Sequence, residues 1–510
     1  MGQTATHIDF RANVRAVEPQ MPASVQKATN RFLGTRASVV DVFGEDRWKQ
    51  LRQSGHDLRR HTIAHLDHYL ELLEQRVTGA GGHVHWARDG AEANCIVLEI
   101  ARKHGVRNAV KVKSMATEET GLNQALIEAG IATLETDLGE FIVQLAGVAP
   151  SHIIAPAVHL TKEGIADLFR QKLGVEAPAE PVALAAIARA RLRKAFLAAE
   201  MGISGANFMV AETGTLVIVS NEGNGRMCTT LPPIHVALAG IDKVLPDMES
   251  LAVVLKLLPR SATGQKMTSY VSFIRGPSKS SKEGGPHELH LILLDNGRTR
   301  VLADEISRDT LLCIRCGVCL NVCPVYNHVG GHAYGSAYSG PIGSILTPQL
   351  LGVGIAGDLP FASTLCGACA EYCPVRIPIP EILVHLRRRV VEGDRVDGPA
   401  ISPVVSAAAG AGAAALGTPW LYEFGSQALK VAGTPLSKEG WMAHLPPPAS
   451  RWTDIRPMPA FGAGFRDWWR NRTPQGRRLL WRRRVLAGAA AAGAFAAIAA
   501  WRLTRKSGRD

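Results

Sequence analysis

Cys313, Cys316, Cys319 and Cys323 stand at intervals of three, three and four, with Pro324 after the last. Three thiolates at intervals of three can wrap one Fe₄S₄ cube within a tight loop. A fourth, displaced by one residue and followed by proline, points to a neighbouring cluster. Zinc sites take separated pairs of ligands, which leaves the fourth cysteine and its proline unexplained. A second motif, Cys366, Cys369 and Cys373-Pro374, repeats the pattern without its opening cysteine, and Ser363 holds that place. Cross-ligation then predicts two iron–sulfur clusters. One is a 4Fe-4S cluster with four cysteines: Cys313, Cys316, Cys319 and Cys373. The other is a 4Fe-4S cluster with three: Cys323, Cys366 and Cys369. The second is labile at one iron unless Ser363, another residue or a partner completes it.

The 42 residues from Pro324 to Leu365 include Gly330-Gly331, Gly340 and Gly343. Glycines here either let backbone N–H groups approach cluster sulfurs or simply loosen the loop. Cys95, in an apolar helix, and Cys228, in a polar loop, read as inert. Outside the cysteines, Glu212 and Thr213 sit in a Thr-Gly-Thr turn between two strands. A glutamate nucleophile is conceivable there, but a turn carboxylate fixing backbone N–H groups is the favoured reading. Arg226, in Asn221-Glu222-Gly223-Asn224-Gly225-Arg226, could offer a guanidinium to an anionic substrate. His287-Glu288-Leu289-His290 is one residue short of the metalloprotease spacing, and no Gly-x-Gly-x-x-Gly follows a strand, so neither a protease nor a nicotinamide fold is indicated.

The elements that must position these residues alternate. His83–Trp86 and 108–113 read as strands. Residues 91–104 and 117–129 read as helices, the latter starting at Thr117. Residues 206–219 read as two strands about Glu212-Thr213-Gly214, and 289–294 as a strand ending in the turn Asp295-Asn296-Gly297. Such βαβα alternation favours an α/β layer with a largely parallel sheet. The divisions expected are a helical N-terminal segment (1–70), an α/β domain (71–300) and a helical ferredoxin-type domain (301–395) closed by a helix from Pro380 to Glu392. An irregular Ala/Gly/Pro-rich extension (396–475) and a basic tail (476–510) follow.

The chain has 510 residues and a formal net charge of +12. From Arg466 to Asp510 there are twelve Lys/Arg against two Asp, so the rest is nearly neutral and a nucleic-acid binder is not indicated. The start carries no apolar signal-peptide core, which points to the cytoplasm. Met1-Gly2 with Thr6 matches a loose myristoylation pattern. Residues 485–501 are uncharged and lie between arginines, with Trp481 and Trp501 at the flanks. As a helix this stretch spans about 26 Å, slightly short of a bilayer core. It is expected to attach the chain to the cytoplasmic face of the membrane.

The run CIRCGVCLNVCPVY from Cys313, the following GGHAYG and GPIGSILTP, and LCGACAEYCPV from Leu365 resemble the lactate utilization protein B family. The upstream half resembles that family's LUD domain in Lys113-Ser114-Met115, Thr117-Glu118-Glu119, Glu135-Thr136-Asp137-Leu138-Gly139-Glu140 and Ala211-Glu212-Thr213-Gly214-Thr215. Phe465-Arg466-Asp467-Trp468-Trp469 also looks like it. The likeness runs from about residue 5 to 472. It implies a LUD domain of the CoA-transferase and sugar-phosphate isomerase type, fused to a helical two-cluster ferredoxin module. It also implies a role as one subunit of a three-protein system oxidising L-lactate to pyruvate, beside a cysteine-rich-domain protein and a second LUD protein. A short second motif is a feature of this family too. The apolar segment after Arg484 lies outside the resemblance.

Three functions remain distinguishable. An electron-transfer subunit needs its partners for lactate turnover. An autonomous 2-hydroxy-acid oxidoreductase turns over alone. A CoA- or acyl-transferase with a redox module exchanges acyl groups without redox change. The chain lacks the adjacent Cys-Cys pair found in cysteine-rich domains of related oxidoreductases, so the first is expected.

Overall fold

In the computed structural model, residues 7–18, 21–280, 284–393 and most of 403–475 are described. The expected membrane segment lies, apart from Val485, outside the described residues.

Residues 1–400 form one compact unit. Its centre is a six-stranded sheet in the order β1-β10-β7-β4-β2-β3, parallel throughout. The strands are β1 (His83–Ala87), β2 (Asn108–Lys111), β3 (Ala132–Glu135), β4 (Met201–Ser204), β7 (Ile234–Gly240) and β10 (Glu288–Leu294). The central strands β4 and β7 are buried along their whole length, as a parallel sheet covered on both faces demands. Each Leu, Val or Ile so buried contributes roughly 1.5–3 kcal/mol. A second sheet, in the order β8-β5-β6-β9, is built from β5 (Phe208–Val210), β6 (Thr215–Ser220), β8 (Val244–Leu245) and β9 (Tyr270–Ile274). The turn at Glu212-Thr213-Gly214 joins β5 to β6 as an antiparallel pair.

Two local readings differ. The helix expected over 117–129 is two helices, Met115–Thr120 and Leu122–Glu128. Ser114 caps the first by accepting the Thr117 N–H, and Gly121 at φ 67 breaks the run. Cys228 lies buried in a short helix, Asn224–Thr230, rather than in a loop.

The ferredoxin-type segment belongs to the same compact unit. Its helices Val318–Asn321, Pro324–Val329, Gly340–Leu351, Ala368–Tyr372 and Ile379–Glu392 are mostly short and follow the two motifs. The N-terminal helices Met21–Phe43 and Glu45–Ala64 also pack into this core, through Val25 and Trp48.

A second unit covers residues 401–510. It contains helices Pro403–Gly417 and Pro419–Gly433 and a two-stranded pair, Trp441–Met442 with Met458–Pro459. Trp420, Trp441, Trp468 and Trp469 are exposed there. Among the described residues, no helix is long and apolar enough to cross a membrane.

Candidate metal centre

The two motifs fold into the same turn twice. Arg315 (φ 59) and Gly317 (φ 74) flank Cys316; Leu365 (φ 55) and Gly367 (φ 86) flank Cys366. A left-handed conformation costs a non-glycine residue about 1–2 kcal/mol. It recurs at the equivalent place in both motifs, directly before Cys316 and before Cys366. Helices Val318–Asn321 and Ala368–Tyr372 follow at equivalent places, and each carries the next cysteine, Cys319 or Cys369.

Cys313, Cys316 and Cys319 share one cavity with Cys373 from the second motif. Ile153, Ile314, Val318, Ile342 and Val375 complete an apolar wall. Backbone amides point at the sulfurs: Arg315 N–H donates to Cys313 Sγ at 3.4 Å and Ile377 N–H to Cys373 Sγ at 3.4 Å. Such bonds favour a thiolate. Against them, burial pushes Cys373 up to about 11 and raises Cys316 and Cys319 further. Burial thus favours the protonated thiol at Cys316, Cys319 and Cys373, and metal would replace those protons on binding. Among the described residues, no three Cys, His, Asp or Glu side chains converge on one point suited to a single ion. A cubane fits this arrangement better than zinc, because each thiolate takes a different iron corner.

The remaining motif cysteines differ in exposure. Cys323 and Cys369 are buried, Cys366 is exposed, and Ser363 is half-buried beside it. Tyr326 N–H donates to Cys323 Sγ at 3.5 Å, and burial pushes Cys369 up to about 12. Arg387 donates to the Ser363 carbonyl at 3.0 Å and so pins the loop that carries this residue.

The carboxyl edge of the parallel sheet faces the first motif. Just past β7, Asp242 accepts from Lys243 Nζ and Arg298 Nε, both at 2.7 Å, and pairs with Arg315 at 3.7 Å. Burial alone would raise the Asp242 carboxyl, but Lys243, Arg298 and Arg315 overcome it and hold it far below the usual range. Lys243 also donates to the Cys313 carbonyl at 3.0 Å. Arg298 grips Glu119 at 2.8 Å, and Tyr338 donates to the same carboxylate at 2.6 Å. Arg59, almost wholly buried, donates to the carbonyls of Val244, Leu311 and Asp242. This network joins the α/β half to the motif.

A second joint is the loop that follows the helix Leu138–Ala146. His152 meets Asn321 at 3.0 Å, and Tyr326 donates to the Ser151 carbonyl at 2.8 Å. A Cβ on Gly331 would lie 1.8 Å from that carbonyl. Gly331 thus serves the approach of two backbones.

Neither Asp242, Lys243, Arg298 nor Arg59 was legible as a site residue, since no motif contains them. Arg315 stood within the first motif, but spacing rules treat it as filler. The other sequence candidates are dispersed. Glu212 is exposed before β6, Thr213 donates to Thr215 Oγ1 at 2.7 Å, and Arg226 is exposed in the helix after β6. Glu212 thus stands before the six-residue strand β6, and Arg226 in the helix after it. Cys95 is exposed, and Cys228 lies 3.3 Å from Thr136 Oγ1, with burial pushing its thiol up to about 12.

Residues 70–294 match the LUD domain, and residues 309–377 match the 4Fe-4S dicluster domain. The α/β half is therefore a LUD domain, and the helical segment binds 4Fe-4S iron–sulfur centres. Lactate utilization protein B of Bacillus pumilus is 43% identical over 454 residues, covering 89% of this chain and 94% of that one. Its counterparts in Shouchella clausii and Bacillus licheniformis are each 42% identical, covering 89% of this chain and 95% and 94% of theirs. A solved DUF162 family protein from Deinococcus radiodurans is 13% identical, covers 45% of this chain and 98% of its own, and has a TM-score of 0.26, too slight a likeness to bear on the fold. With both domains present in order and the likeness running almost end to end, the chain belongs to the lactate utilization protein B family.

Proposed function

We propose that this chain is the iron–sulfur electron-transfer subunit of a multi-protein system that oxidises L-lactate to pyruvate. The observation that carries the proposal is the cavity in which Cys373 joins Cys313, Cys316 and Cys319 across a gap of more than fifty residues. These four cysteines would hold one 4Fe-4S cluster. Cys323, Cys366 and Cys369 would hold the second, with Ser363 as the candidate for its fourth corner. When bound, the clusters supply one-electron storage. The chain's own residues enclose the first site in apolar side chains, aim backbone amides at its sulfurs and leave Cys366 of the second at the surface.

The family name supports lactate as the substrate of the system. Loss of two electrons from lactate needs a site for the acid, which we assign to the partners: a cysteine-rich-domain protein and a second LUD protein. Glu212, Thr213 and Arg226 remain candidate substrate contacts on the LUD half. We further propose the divisions 1–70, 71–300, 301–395, 396–475 and 476–510. The last would hold the subunit at the cytoplasmic face of the membrane.

The test is anaerobic reconstitution with the two partner proteins, followed by EPR after L-lactate is added. Reduction of the clusters only when all partners are present is expected. Sustained lactate oxidation by this chain alone, or acyl exchange without redox change, would overturn the proposal.

A further inference from the structure

Arg315 lines the cavity of the four cysteines, and its side chain is only 9% exposed. Its Nε, Nη1 and Nη2 are all buried, and none has a hydrogen-bond acceptor among the described residues. The guanidinium stacks on the Tyr338 ring at 4.8 Å and pairs with Asp242 at 3.7 Å, beyond hydrogen-bond reach. A buried guanidinium with no acceptor is strongly unfavourable, because its five donors have lost water and gained nothing. The missing acceptor belongs to whatever fills the cavity that Arg315 lines.

The surroundings add positive charge. Lys243 holds the Cys313 carbonyl at 3.0 Å, and Arg52 holds the Cys373 carbonyl at 3.0 and 2.8 Å. Asp242 is already shared among Lys243, Arg298 and Arg315. The second motif has a carbonyl held by a cation, Arg387 on Ser363, but its turn lacks a counterpart of Arg315. Leu365 stands at the position equivalent to Arg315, in the same left-handed conformation, and is 37% exposed. The duplicated turn therefore places an arginine against one site and a leucine at the other.

We infer that Arg315 donates hydrogen bonds from its guanidinium to sulfur of the cluster held by Cys313, Cys316, Cys319 and Cys373, and so raises the reduction potential of that cluster. The inference deepens the proposed electron-transfer role and rests on that ligand set. Reduction transfers one electron from a reduced partner protein. No bond forms or breaks, no proton moves, and the site becomes one unit more negative. A fixed cation at hydrogen-bond distance favours that added charge, and cluster potentials respond to net charge and to hydrogen bonds on sulfur. Asp242 and Tyr338 act as positioning residues: one anchors the guanidinium, the other keeps its plane turned.

The test is an EPR-monitored redox titration of the full-length anaerobic protein, comparing wild type, Arg315→Gln and Arg315→Lys, with Arg88→Gln at an exposed site as control. Arg315→Gln should lower one potential by about 59 mV or more, a tenfold change in the reduced-to-oxidised ratio for one electron. Arg315→Lys should recover part of the shift, while the other cluster and the control stay unmoved. Unchanged potentials with full iron content, or an equal shift of both clusters, would overturn the inference. Should Arg315→Gln fail to assemble, wild type carrying arginine labelled with ¹⁵N in the guanidinium alone decides the question, since the Arg315 backbone amide, which bonds Cys313 Sγ, then stays unlabelled. A guanidinium ¹⁵N coupling in pulsed EPR of the reduced protein supports the contact, and its absence rejects it. Wild type that lacks a four-iron signal from this site would instead overturn the ligand assignment beneath.

Discussion

Ser363 Oγ accepts the amide N–H of Leu365 at 3.1 Å, just as Cys313 Sγ accepts that of Arg315 at 3.4 Å. The serine thus takes, within the second motif, the hydrogen-bonding position of the opening cysteine of the first. A hydroxyl is a poorer iron ligand than a thiolate at neutral pH, so the iron at this corner should be the one most easily lost. Mild oxidation of the wild-type protein is expected to produce a three-iron EPR signal, and Ser363→Cys should abolish it. Two oxidation-resistant four-iron clusters in wild type, unchanged by the substitution, would contradict the three-thiolate assignment.

The buried network around Asp242 makes a separate prediction about stability. Asp242→Asn leaves Lys243, Arg298 and Arg315 without their shared anion. Removing one partner of a buried ion pair costs about 3–5 kcal/mol. Anaerobic thermal unfolding should show a marked fall in Tm. The double substitution of Asp242→Asn with Lys243→Met should recover part of it, because the ion pair of Lys243 among the described residues is with Asp242 and that orphaned cation is gone. A single variant as stable as wild type would mean that the network contributes little.

His235 sets an acid limit. Burial, with His290 adding to it, pushes its imidazole down to about 4, and its ring meets Ser204 Oγ at 2.7 Å. The unfolded ring protonates near pH 6.5, so the folded state binds fewer protons between the two values. Stability from this group is therefore intact above about pH 6.5, is lost as pH falls and is gone below about 4. At pH 5.5 the loss is about 1.4 kcal/mol. His235→Gln, which can keep the contact to Ser204, should narrow the Tm difference between pH 7 and pH 5.5. An unchanged difference would assign the acid sensitivity elsewhere.

The C-terminal tail predicts behaviour in fractionation. Full-length protein is expected in the membrane pellet at moderate salt, and a chain ending at residue 475 in the supernatant. The apolar stretch of 485–501 with flanking arginines gives the reason, since arginines at both ends can reach the interface. Recovery of the full-length chain in the supernatant would remove the membrane from the proposal.

Much of the metal chemistry was legible from spacing alone, because cluster-binding loops are local. Cys313, Cys316 and Cys319 lie within seven residues, and their separation is a property of one turn. The βαβα order was legible for a similar reason: the strands at His83–Ala87 and Asn108–Lys111 and the helix between them are each set by a short local run of residues. Gly121 was the local signal that the reading of 117–129 passed over, since its left-handed conformation ends one helix and starts the next.

What spacing could not decide was which residues meet from afar. Asp242, Glu119 and Arg298 are more than fifty residues apart in sequence, yet parallel strands and the helices between them bring all three to one sheet edge. The turn at Asp295-Asn296-Gly297 was visible in the sequence, but only the sheet order puts the next residue, Arg298, against Asp242. The same holds for Arg315. Its type and its place between two cysteines were plain from the start. That its guanidinium is buried, stacked on Tyr338 and left without an acceptor follows from the packing of distant segments, because burial removes water and leaves each donor dependent on what the fold brings near.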